Sequence, residues 1–177
     1  MKNKVFASLA AIALAFAAPA MAQKTAGNMV DDGTIVTSVK ASLLAEKGVP
    51  SGDVNVEVYK GEVLLSGFVK TQAEKDAAGK VAKSVKDVKS VRNELIVHAS
   101  TSMGTKLDDT ALVASVKAAL IDAKDVKSGQ INVEARGGNV QLGGFVTGEK
   151  MRERAIAVAK GVKGVKSVSN ALFVKPE

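Results

Sequence analysis

Val54-Asn55-Val56-Glu57-Val58-Tyr59-Lys60-Gly61-Glu62-Val63-Leu64-Leu65-Ser66-Gly67-Phe68-Val69 sets valines two apart before a Lys-Gly turn, then Val63, Leu65, Gly67 and Val69 two apart after it. That is the period of two half-buried strands joined as a β-hairpin. The stretch returns 77 residues later as Ile131 to Val146 around Gly137-Gly138. Laying 31–97 over 108–174 needs no gap and leaves about half the pairs identical, among them Asn55-Val56-Glu57 over Asn132-Val133-Glu134 and Gly67-Phe68-Val69 over Gly144-Phe145-Val146. So long a period is not that of a solenoid; each copy is large enough to bury its own core.

Upstream of the hairpin, Asp31 and Asp32 precede Ile35, Val36, Val39 and Leu43, one apolar stripe of a helix with acidic residues at its positive end. Asp108 and Asp109 before Leu112, Val113, Val116 and Leu120 repeat it. Downstream, Thr71 and Glu74 are spaced as a capping box, and Ala77, Ala78, Val81 and Val85 form the expected buried side of a second helix. The second copy has Gly148 and Met151 at the box positions, which predicts a poorer cap. Val91 to Val97 and Val168 to Val174 alternate as a third strand. Each copy reads αββαβ, an α+β domain with two helices on one face of a three-stranded sheet.

The ends complete the division. Lys2 and Lys4, an apolar run from Val5 to Ala18 and Ala20-Met21-Ala22 form a secretory signal peptide, with cleavage expected after Ala22 and a periplasmic destination. The expected order is a leader over 1–22, a flexible segment over 23–30, a first domain over 31–98, a linker over 99–107 and a second domain over 108–175. The linker reading rests on Ser, Thr and Gly with no helical period.

No cysteine is present, so disulfides, thiolate metal sites, thiol nucleophiles and a lipidated cysteine are excluded. His98, the single histidine, stands at a strand end where a solvated role is expected. The Gly-x-Val-x-Leu-x-Gly spacing is that of a strand and lacks a phosphate loop's Gly-Lys-Ser/Thr. No enzyme activity and no cofactor are expected. Charge is uneven: 31–98 holds 10 basic and 10 acidic residues, whereas 108–177 holds 11 and 8, a net +3. In an exported protein this favours anionic lipid or acidic envelope partners over nucleic acid.

The hairpin positions Val54, Val56, Gly61, Val63, Leu65, Gly67 and Val69, the closing positions Val85, Val88, Val91, Asn93, Leu95 and Val97, and their equivalents in the second copy resemble the BON domain of bacterial envelope proteins. The resemblance implies a periplasmic protein linked to osmotic or envelope stress, whose domains contact phospholipid surfaces or client proteins without catalysis. Relatives held at the outer membrane carry a lipidated cysteine that this chain lacks, so a reversible, peripheral contact at most is expected, by a monomer.

Two candidate surfaces follow. Lys117 and Lys124 on the first helix of the second copy, with Lys150 and Arg154 on its second helix, are the expected contacts to anionic headgroups. Strand parity puts Tyr59, Phe68, Phe145 and Phe173 on the sheet faces away from the helices. Those faces are expected either to seal against each other or to hold an exported client, with a bulge at Gly67 or Gly144 as the device that would return the Phe side chains to the core.

Overall fold

A computed structural model of the chain describes residues 31–98 and 103–175, and the leader reading lies outside them. The first domain runs α1 (Asp32–Ala45), a 3-10 turn (Ser51–Asp53), β1 (Val54–Tyr59), β2 (Glu62–Val69), α2 (Gln72–Ser84), β3 (Ser90–Asn93) and β4 (Ile96–Val97). The second runs α3 (Met103–Asp122), a 3-10 turn (Ser128–Gln130), β5 (Asn132–Arg136), β6 (Asn139–Val146), α4 (Glu149–Lys160) and β7 (Ser167–Val174).

Local chemistry explains the elements. Asp31 caps α1 by accepting from the Gly33 amide at 3.3 Å. Lys60 and Gly61 turn the hairpin with φ of 52° and 82°, the left-handed pair that a tight two-residue loop needs. Thr71 Oγ1 accepts from the Glu74 amide while the Glu74 carboxylate accepts from the Thr71 amide, closing the capping box. Gly148 gives α4 no such side-chain cap. β1 pairs antiparallel with β2, Val56 facing Leu65, and β3 and β4 run parallel to β2 after the α2 crossover. The second domain repeats this, with β6 central between β5 and β7. The crossover lays α2, and α4 in the second domain, on one face of the sheet, and α1 and α3 pack beside them on the same face.

Two separate cores result. Ile35, Val39 and Leu43 of α1 meet Val56, Val63, Leu65 and Val69 in the first. Leu112, Val116 and Leu120 meet Val133, Val140, Leu142 and Val146 in the second. Each fully buried aliphatic side chain stabilises its domain by about 1.5–3 kcal/mol relative to exposure. No aromatic ring belongs to either core.

Three details depart from expectation. α3 begins at Met103, inside the stretch read as linker; no proline interrupts it, so a helix anchored by Leu112, Val116 and Leu120 propagates backwards past the aspartate pair. The third strand of the first domain breaks at Glu94-Leu95, although the Glu94 amide still reaches the Leu65 carbonyl at 2.9 Å. On α2 the fully buried positions are Ala78 and Ala82, while Ala77, Val81 and Val85 are only partly covered. Small residues there let α2 lie close over the sheet, so close that a Cβ on Gly79 would come within 2.7 Å of Asn93 Nδ2.

No bulge forms. The register runs unbroken through Val54 opposite Gly67, and Gly67 is required because at φ +124° a Cβ would lie 2.1 Å from the Asp53 carbonyl oxygen. The close approach is to the 3-10 turn. Parity therefore holds, and Leu64, Ser66 and Phe68 point away from the helices.

Candidate functional site

The helix-free faces of the two sheets lie against each other, giving four layers in the order helices, sheet, sheet, helices. Phe68 and Phe145 are 3% and 6% exposed in the seam, and Leu64, Ser66 and Gln141 are buried there too. The Tyr59 ring lies 5.7 Å from the Phe145 ring, Arg136 stacks over Phe68 at 5.7 Å, and Arg92 stacks over the half-buried Phe173 at 4.5 Å. All four aromatics therefore meet at this seam.

The seam is close to two-fold in its chemistry. Asn55 Nδ2 donates to Glu134 Oε1 at 3.0 Å, and Asn132, the repeat equivalent of Asn55, donates to Glu57, the equivalent of Glu134. Tyr59 against Phe145 and Arg136 against Phe68 are likewise the same two repeat positions, filled differently. Such reciprocity is what an isologous contact between two copies of one surface produces.

Where the copies differ, the contact becomes directional. Gln141 stands where the first copy has Leu64. Its Oε1 accepts from the Gly67 amide and its Nε2 donates to the Glu94 carbonyl, both at 2.6 Å. This bond falls at the break between β3 and β4; Leu64 offers no donor in return, and β7 runs unbroken. Arg136 also pairs with Asp53 at 3.3 Å. A polar group sealed in such a seam costs about 1–3 kcal/mol if left without a partner.

Glu57 is the electrostatically distinctive group. Burial pushes its carboxyl pKa upward, against the opposing hydrogen bonds from the Phe145 amide and Asn132 and the positive charge of Lys175 and Lys40. His98 is half-buried rather than solvated, its ring edge-on to Phe68 at 6.2 Å. Among the described residues no group of His, Asp and Glu is arranged to hold a metal ion.

The second aspartate of each pair has a role that its charge alone does not indicate. Asp32 accepts from the Lys60 and Gly61 amides at 2.7 and 2.8 Å, and Asp109 from the Gly137 and Gly138 amides at 2.8 and 3.0 Å. Each ties its first helix to the hairpin turn, which accounts for the carboxylates without any acid–base chemistry.

The expected lipid contacts lie on the outer layer of the second domain. Lys117, Lys124 and Lys150 are exposed, Lys124 in the turn beyond the end of α3 at Asp122 rather than on the helix, and so is Arg154, which pairs with Asp125 at 3.3 Å. That ion pair brings α4 to the turn after α3, beside Lys124. Ile121, between Lys117 and Lys124, is 67% exposed. No helix among the described residues is long and apolar enough to cross a membrane.

The BON domain family matches residues 31–99 and again 108–176. The chain belongs to the BON domain family. It is similar to the Osmotically-inducible protein Y of Escherichia coli strain K12, with 40% identity over 151 residues, covering 84% of this chain and 75% of the relative. It is also similar to the outer membrane lipoprotein DolP of Haemophilus influenzae, 33% identical over 146 residues, covering 82% and 75%. Among solved structures, CdsD, a structural protein of the type III secretion system of Chlamydia trachomatis, matches at 13% identity with a TM-score of 0.35, over 84% of this chain and 65% of that chain.

As a tandem BON protein, the chain uses its two modules on each other. The sheet face offered as a client surface is, in this arrangement, the surface each BON domain presents to its partner domain. Sequence parity placed the aromatics there, but it did not reveal the Asn-x-Glu pairs or Gln141 as seam residues. Polar residues alternating with valine have the pattern of a solvated strand face. The available signal was the identity of Asn55-x-Glu57 and Asn132-x-Glu134 on the aromatic-bearing face of both copies.

Proposed function

We propose that this protein is a periplasmic envelope-stress binding protein that contacts anionic phospholipid surfaces reversibly, mainly through its second BON domain. The observation that carries the reading is the exposed set of Lys117 and Ile121 on α3 with Lys124 in the turn that follows it, within the stretch 108–177 of net charge +3. The names of the relatives, an osmotically inducible protein and an outer membrane lipoprotein, support the stress and envelope setting. The reading needs no cofactor and no chemistry.

Magnitudes fix the character of the contact. A lysine near an anionic surface contributes about 1 kcal/mol. Lys117, Lys124 and Lys150 together give about 3 kcal/mol, weaker than a millimolar affinity. Arg154 adds less, because Asp125 already neutralises it. Seating Ile121 among the headgroups adds part of the roughly 1.5–3 kcal/mol of a buried aliphatic side chain. Adsorption is then reversible and sensitive to salt.

Sedimentation of the chain beginning at Gln23 with phosphatidylcholine vesicles, with and without phosphatidylglycerol, tests the reading. Binding that requires the anionic lipid and fades as salt rises supports it. Absence of binding to anionic vesicles at low salt rules it out. The second reading, a chaperone-like hold on exported clients through apolar sheet faces, requires the domains to part, because Phe68 and Phe145 are sealed in the seam.

A further inference from the structure

The lysines that close α4 have no part in the lipid reading, and they belong to a motif written twice. Lys83-Ser84-Val85-Lys86-Asp87-Val88-Lys89-Ser90 and Lys160-Gly161-Val162-Lys163-Gly164-Val165-Lys166-Ser167 each set lysines three apart with valines three apart between them. Val162 and Val165 pack against the second core, as Val85 and Val88 do against the first. The backbone follows the same period: the Val162 amide donates to the Ala159 carbonyl and the Val165 amide to the Val162 carbonyl, both at 3.2 Å. Bonds from i to i−3 bring side chains three apart onto one side, so the valines turn inward and the lysines stand in file. Lys160, Lys163 and Lys166 are all exposed.

This file lies apart from Lys124. Arg154 reaches Asp125 beyond the end of α3, whereas a Cβ on Gly164 would meet Leu112 at 3.4 Å, about three turns earlier on that helix. Between the file and α3 opens a pocket of about 350 Å³ lined by Leu112, Ser115, Gly138, Lys163 and Lys166. The Lys166 stem lies along the hairpin turn, where a Cβ on Gly138 would come within 3.0 Å of its Cγ and Cδ. Asp108 and Asp109 also border the pocket, but the Asp109 carboxylate is taken by the turn amides. Among the described residues the Lys160, Lys163 and Lys166 ammonium groups form no hydrogen bond or ion pair. The first copy differs: Asp87 stands in its file where the second has Gly164, and Lys89 Nζ donates to the Lys60 carbonyl at 2.9 Å.

We propose that Lys160, Lys163 and Lys166 form a binding site for a linear polyphosphate chain. Lysine meets phosphate as a point charge, and three such charges in file suit an anion whose charge repeats along a chain. Recognition of a sugar or a base would call for an aromatic platform. The four aromatic rings of the described residues all lie in the seam, so none serves this site. Charge is then the recognising element, which favours the ligand with the densest run of it. The site goes beyond the lipid reading and does not depend on it.

Isothermal titration calorimetry of the chain beginning at Gln23 with sodium polyphosphate, orthophosphate and poly-glutamate tests this at low salt. Polyphosphate is expected to bind, with a log–log salt slope of roughly −2 for three contacts to a flexible polyanion, and orthophosphate is not. A Lys160→Gln, Lys163→Gln, Lys166→Gln variant is expected to bind about ten-fold more weakly, as for three exposed ion pairs, with the melting temperature of the wild type. A Lys83→Gln, Lys86→Gln, Lys89→Gln variant loses the same charge and is expected to weaken binding by clearly less. Equal weakening by the two variants overturns the site, because net charge then explains the binding. Poly-glutamate bound as tightly as polyphosphate, or orthophosphate bound as tightly as the chain, overturns the ligand. Absence of polyphosphate binding overturns the proposal outright and leaves the lipid reading as it stands.

Discussion

Ser66 faces Gly143, the residue that fills its own repeat position in the other domain, and a Cβ placed on Gly143 would lie 2.5 Å from Ser66 Oγ. Here the repeat meets itself, so the seam's approximate two-fold axis passes beside this pair. No left-handed φ constrains Gly143, unlike its neighbour Gly144 at φ +146°. Its small size serves the contact between domains.

Gly143→Ala is therefore expected to cost about 1–3 kcal/mol by overpacking the seam. Ser66→Gly should recover part of that loss in the double variant. Denaturant melts of the two single variants and the double variant measure the coupling; additive effects would deny that the two residues touch.

The reciprocal Asn–Glu pairs predict similar losses from either side. Asn55→Ala and Asn132→Ala each leave a seam glutamate short of a donor and should cost about 1–3 kcal/mol. Asn132→Ala should cost the more, because its partner Glu57 is the carboxylate whose pKa burial raises. Chemical denaturation of each variant checks the order.

Glu57 predicts a pH dependence of definite sign. Its folded pKa is raised above the ordinary glutamate value of 4.5, so between that value and the folded pKa the folded state holds the proton more often than the unfolded state does. Stability from this group is present below 4.5 and declines as pH rises through the window above it. Glu57→Gln removes the decline, so its stability relative to the wild type should grow with pH across that window and then level off. Thermal melts of both proteins from acid to neutral pH measure the difference; a gap that shrinks with rising pH would reverse the assigned direction.

Asp32 and Asp109 predict a repeated but unequal effect. Replacing either by Ala strands two turn amides, and Asp109, 7% exposed, should cost more than the half-buried Asp32. About 1–3 kcal/mol is expected for each, read by denaturant melts together with faster amide exchange at Gly61 or Gly138.

Much of this is legible in the sequence alone. Val54 to Val69 declares its hairpin through period and turn residues, Thr71 and Glu74 declare their cap, and Val39 and Leu43 declare a buried stripe, because each signal is local. The Gly148 position likewise predicts the missing cap on α4. What was not legible depends on partners far along the chain or on a weak local pattern. Gln141 reads as an ordinary polar strand residue until the Gly67 amide and Glu94 carbonyl of the first domain stand opposite it. Asp32 reads as helix-dipole charge until the turn amides reach it. The start of α3 at Met103 was hidden because Thr and Gly weaken a helical pattern without forbidding a helix.

The outer helix layer of the second BON domain, rather than the sheet faces, is the surface proposed to meet anionic lipid. Vesicle sedimentation of the wild type beside a Lys117→Glu, Lys124→Glu variant tests it most directly, at low salt with phosphatidylglycerol present. Neutralising the two lysines alone removes about 2 kcal/mol, roughly thirty-fold in the binding constant, and reversing them removes more. The variant is expected to lose most binding with an unchanged melting temperature, since both side chains are exposed. Equal binding by the variant and the wild type would contradict it.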